Sequence, residues 1–128
     1  MTALIAVAAL ALTGCHSHAC QERVEAKRFE ATDRVLRHRC HRKVTACIDR
    51  AAHLHRVSRS WMRSIAWCES RLRPWASNGT HFGLFQFDRA TWSASPYARR
   101  GSPWSAKWAS LATAWFLRRG QASRWVCA

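Results

Sequence analysis

The chain has 128 residues, and its 21 Lys and Arg against 7 Asp and Glu give a formal net charge of +14. That length leaves room for one small domain with appendages, and at this size a covalent or partner-supplied brace is common. So basic a surface favours polyanions such as nucleic acid, anionic lipid or wall polymer, while the plainer reading is a solvated arginine-rich surface.

In chain order, Leu4 to Leu12 is an apolar run of nine residues, too short to cross a bilayer as a mature helix. It leads into Leu12-Thr13-Gly14-Cys15, which resembles a bacterial lipobox and implies acylation at Cys15. Met1-Thr2-Ala3 departs from that pattern by carrying no Lys or Arg. Ser17 and Ala19 offer a competing cut after Ala19, and an apolar helix that stays on the protein is the simplest alternative. Six cysteines in a short chain fit export into an oxidising compartment. Residues 1–19 therefore read as a signal or lipoprotein segment. The expected location is the cell envelope, anchored at Cys15 or otherwise secreted. Export removes nucleic acid from the partners and leaves anionic wall polymers and the membrane.

Residues 20–56 hold five of the seven acids and no Pro, Gly or Trp. Phe29, Leu36, Cys40, Val44, Cys47, Ala51 and Leu54 recur at helical spacing, which predicts one basic helix with an apolar stripe. A stripe needs a cover, so this stalk should lean on the C-terminal domain or pair with another copy. Cys40 and Cys47 are about 10 Å apart along a straight helix, too far for a direct bridge. Each then needs Cys20, another chain, or a buried thiol state. The five cysteines beyond Cys15 leave one over. His16, His18, His38 and His41 lie among cysteines, but matched zinc-ligand pairs are lacking, so neither metal nor cofactor is expected.

Residues 57–128 carry all eight tryptophans, all three prolines and two acids, Glu69 and Asp88. Ser58 or Ser60 can cap a helix over about 60–71, which Pro74 stops near Arg71 to Arg73. Trp61, Ile65 and Cys68 share one line of it, with Met62, Ala66 and Glu69 on the next. Glu69 thus sits in the last turn of an apolar, aromatic helix, where burial would raise its pKa and suit it to general-acid work. The bland alternative is an exposed Glu paired with Arg63, Arg71 or Arg73.

Trp67-Cys68-Glu69-Ser70, Asn78-Gly79, Gly83-Leu84-Phe85-Gln86-Phe87 and Thr91-Trp92 follow one another in order. Together they resemble the lysozyme-like superfamily, in particular lytic transglycosylases and resuscitation-promoting-factor type domains. The resemblance covers 57–128, and the interval of seventeen from Glu69 to Gln86 fits it. It implies Glu69 as the catalytic acid and base, a Gly83–Phe87 segment lining a sugar groove, and peptidoglycan glycan strands as substrate. It also implies a disulfide from Cys68 to Cys127 in a Trp125-Val126-Cys127 ending. The bond cut would be the β-1,4 linkage between MurNAc and GlcNAc. Hydrolysis commonly uses two carboxylates. Asp88, three before Thr91, is best read as a helix cap, so the resemblance favours transglycosylation by Glu69 alone over a water-activating muramidase.

Gln86, with Phe87 beside it, is expected to contact substrate; the alternative is an amide bridging two backbone segments. Asn78 borders the groove or, as Asn-Gly, simply makes a turn. Trp61, Trp67, Trp108 and Trp115 fall at helical spacing and read as core. Trp75 and Trp104, beside Pro74 and Pro103, read as sugar platforms. The expected architecture is mainly α: helices at about 60–71, 89–94 and 106–119, with Gly120 closing the last. The rivals are a lysozyme-like domain that binds glycan without cutting it and a basic nucleic-acid-binding protein.

Overall fold

The computed structural model describes residues 14–128, so the apolar run of the expected signal lies outside the described residues. The fold is mainly helical. Its helices are α1 His18–Cys40, α2 Val44–His55, α3 Arg59–Ser70, α4 Arg89–Ala94 and α5 Ala106–Arg118, followed by a 3-10 turn, Ala122–Arg124. Extended pairing among the described residues is confined to the isolated bridges Ser77–Phe82 and Phe82–Phe87.

The described residues divide into two compact units, one ending at Val35 and the other Leu36–Ala128. In the first, a Cys15–Cys20 disulfide staples the entrance to α1, with Cα atoms 5.5 Å apart. His18 and Glu22 pair one turn apart on an exposed face. Along its whole length α1 buries none of its residues. The short spacing across the helix start brings the two cysteines within bridging range; acylation of Cys15 would call for the reduced form of that sulfur.

The second unit overturns the single stalk helix over 20–56. The helix breaks at residues 41–43, where Arg42 and Lys43 both donate their N–H groups to the Arg39 carbonyl and Lys43 adopts an extended conformation (φ −140°). The chain folds back there, and Cys40 and Cys47 come to 4.5 Å between Cα atoms in a disulfide. The distance expected from a straight helix fails because the helix is not continuous. With Cys68–Cys127, all six cysteines are paired and no odd thiol remains. Three disulfides fit an oxidising environment. Among the described residues no helix is long and apolar enough to cross a membrane.

The core is built by α2, α3, α5 and the segment between α3 and α4. From α2 come Ile48, Ala51 and Ala52, from α3 Met62, Ile65 and Ala66, and from α5 Ala109, Ala112, Ala114 and Phe116. A domain boundary at 57 would therefore cut through this core. The stripe read on Cys47 and Ala51 is covered within the same unit, by α3 and α5. The largely buried Asp49 ties α2 to α3 by accepting from Arg63 Nε at 2.7 Å and from a second Arg63 nitrogen. Asp49 is the buried partner and Arg63 is exposed, so removing Arg63 strands the Asp49 carboxylate.

The tryptophans divide otherwise than expected. Trp61 and Trp67 are 36% and 52% exposed, whereas Trp92 and Trp125 are buried. Helical spacing places Trp61 on one line of α3 but does not say which line faces inward. Met62, Ile65, Ala66 and Ser70 occupy the inner face. Trp108 and Trp115 pack against the core in part, as their spacing predicted.

Candidate functional site

Three segments meet around Glu69. The first is the end of α3. Ser58 starts this helix by accepting the Trp61 N–H at 3.2 Å. Arg71 (φ 57°) and Leu72 (φ 60°) end it in the left-handed region, donating back to the Trp67 and Ala66 carbonyls at 2.9 and 3.3 Å. Those bonds satisfy carbonyls that a helix end would otherwise leave open and hold two non-glycine residues in an unfavourable conformation. The helix stops just before the expected 71–73, with Glu69 and Ser70 as its last residues.

Ser70 is buried and joins α3 to the second segment, residues 82–87. Its Oγ lies 2.7 Å from the Leu84 carbonyl and 3.0 Å from that of Ala66, and it accepts the Arg73 N–H at 3.2 Å. A Ser after the Glu thus fixes the helix end against the next segment. Phe82 and Phe87 exchange backbone bonds of 2.9 and 3.0 Å across that segment. Gly83 turns it at φ 83°, with so little room that a Cβ there would lie 1.9 Å from the Pro103 carbonyl oxygen.

The third segment is the tail. Trp125 donates its indole N–H to the Phe85 carbonyl at 2.8 Å beneath the 82–87 turn. Two residues on, Cys127 is bonded to Cys68, beside Glu69 and 59 positions away in sequence. The Trp-x-Cys ending therefore grips the site twice.

These contacts leave Glu69 half-buried. Burial holds its carboxyl above the usual carboxylate range, against the pull of the Cys127 backbone N–H and the charge of His81. Asp88 lies in the opposite regime. It caps α4, accepting the Thr91 N–H at 2.7 Å and the Thr91 hydroxyl at 3.0 Å. The Thr91 N–H, more than any other influence, holds its carboxyl below the usual range. The cap expected for Asp88 is thus its observed role. His81, the sole histidine of residues 57–128, acts electrostatically on both acids. Sequence reasoning missed it, although its isolation in a domain with two acids was a usable signal.

The expected substrate contacts separate. Phe87 is 1% exposed and packs edge-on against Trp92 and Trp125. It belongs to the core and not to a groove, because Gln86 adopts φ 51° and the strand-like alternation breaks there. Gln86 follows the bridging alternative: its amide donates to the Ala76 and Gly83 carbonyls at 3.0 and 2.8 Å. Asn78 makes its turn, accepting the Thr80 and His81 N–H groups at 3.1 and 2.8 Å. Trp75 and Trp104 are the accessible rings, 72% and 45% exposed. The Trp104 ring lies 5.4 Å from that of Phe82. Phe82 and Trp104 border an open depression of about 380 Å³ whose wall also includes Asp88, Arg89, Trp92, Ser102 and Pro103, and Trp75 lies outside that wall.

Comparison of the chain with protein-family models, with curated proteins and with solved structures finds no match in any of the three.

Proposed function

We propose that this protein cleaves the β-1,4 bond between MurNAc and GlcNAc in peptidoglycan as a lytic transglycosylase of lysozyme-like type. The observation that carries this reading is a half-buried carboxyl, raised by burial, where three segments converge. Glu69 in its protonated form donates to the bridge oxygen as the bond to C1 breaks. The resulting carboxylate takes the proton of the MurNAc 6-hydroxyl, whose oxygen closes onto C1 and gives a 1,6-anhydro end. Glu69 is then protonated again, and no water is consumed. Asp88, committed to the α4 cap, leaves no second acid for hydrolysis among residues 57–128, which favours the single-carboxylate route over a muramidase. Trp75 and Trp104 offer exposed faces on which pyranose rings can stack, and these rings would equally serve a domain that binds glycan without cutting it. The protein would be exported to the envelope, lipid-anchored where the Cys15 sulfur is reduced and acylated, and otherwise secreted with that sulfur in its disulfide.

Incubation with purified sacculi tests the reading. Release of soluble muropeptides with anhydro ends supports it. Products heavier by one water would assign a muramidase instead. Glycan binding without release, unchanged in Glu69→Gln, would leave the non-catalytic alternative.

A further inference from the structure

A second concave site, separate from the depression bordered by Trp104, lies within the 36–128 unit. It has a volume of about 320 Å³, at the lower end of the roughly 300–1,000 Å³ typical of small-ligand sites. Three elements frame it. The last turn of α1 brings Arg37, the 41–43 turn brings His41, and α2 brings Arg50; the first turn of α5 closes it with Ala106 and Lys107. No Asp or Glu is among the described residues that line it.

We propose that this cavity binds a phosphoryl group, as free phosphate or within a phosphodiester. Arg37 and Lys107 border one hollow from different helices, and an anion between them would accept charge-assisted hydrogen bonds from both. Backbone adds to the side chains. A helix leaves its first N–H groups without intrahelical partners and carries partial positive charge at that end. Ser105 Oγ takes the Trp108 N–H, while Ala106 and Lys107, the preceding donors, form part of the wall. Donors arriving from several directions suit a tetrahedral anion better than a planar carboxylate, which a single guanidinium fork already satisfies.

The site is also held in advance. The Cys40–Cys47 disulfide is part of the wall and clamps the turn bearing His41. A turn fixed before any ligand arrives lowers the ordering cost of binding. This inference does not depend on glycan cleavage.

Amide NMR of the oxidised full chain, titrated with sodium phosphate against sodium chloride at matched ionic strength, tests it. Saturable shifts centred on Ala106 and Lys107 are expected. The pair Arg37→Gln with Lys107→Gln should weaken phosphate binding roughly tenfold or more. The exposed pair Arg99→Gln with Arg118→Gln removes the same charge outside the cavity and should change binding less than about twofold. Unsaturable shifts, shifts scattered over the basic surface, or equal weakening by the second pair would overturn the site. Competition by glycerophosphoglycerol identifies a phosphodiester ligand, and its absence identifies free phosphate. Vesicles of phosphatidylglycerol compared with phosphatidylcholine then separate a lipid headgroup from a soluble diester.

Discussion

Glu69 and Asp88 both stand at helix ends, both feel the charge of His81, and yet their carboxyl groups shift in opposite directions. Asp88 meets the start of α4, where unpaired N–H groups stabilise its anion. Glu69 closes α3, a helix end that presents carbonyls instead of donors, and burial removes it from water without a full set of hydrogen bonds. Desolvation at one position and N–H donors at the other sort two similar side chains into a carboxyl raised above its usual range and one held below it.

The most severe way to break this contrast is Glu69→Gln. It should lower muropeptide release at least about 100-fold, the scale of a lost general acid, with the fold retained by circular dichroism. In the unaltered protein, release should decline as pH rises through the raised Glu69 pKa. Stability linked to Glu69 has the same sign: it is present below the ordinary carboxylate pKa and lost as pH rises through the raised value. Next comes Cys127→Ser, which opens a loop of 59 positions and should cost about 4 kcal/mol in the chain-entropy picture, read by denaturant unfolding. Asp88→Ala removes the α4 cap and should cost about 1 kcal/mol while release persists. Asp88→Asn keeps an acceptor for the Thr91 N–H, so a loss of only a few tenths of a kcal/mol is expected. The variant should also abolish the stability that Asp88 contributes above the ordinary carboxylate pKa and loses as pH falls through its lowered one. The smallest effect sharpens the comparison: His81→Gln should move both acids upward, seen as a shift of the release profile to higher pH.

Elements with strong local signals were legible in the sequence. Asp88 before Thr91 marked α4 at its observed 89–94, and Gly120 (φ 73°) follows α5 where the pattern placed it. Glu69 in a last helical turn was likewise visible. What failed depended on partners distant in the chain or on the sense of a face. No Pro or Gly marks the break at 41–43, and a covalent bridge across it, not a local preference, fixes the turn. Phe87 looked like groove lining because the left-handed turn at Gln86 has no sequence signature outside glycine and asparagine. Trp61 and Trp67 lie at helical spacing, but spacing carries no sign, and it is the neighbouring line of Met62, Ile65 and Ala66 that faces inward.

The contact between Gly83 and the Pro103 carbonyl has a mechanical consequence. With no space for even a methyl group between them, the turn that carries Gln86 and the loop that carries Trp104 are pressed backbone to backbone. The two are then expected to move together, and the hydrogen bond between Leu84 and Ser70 joins them to the residue that follows Glu69.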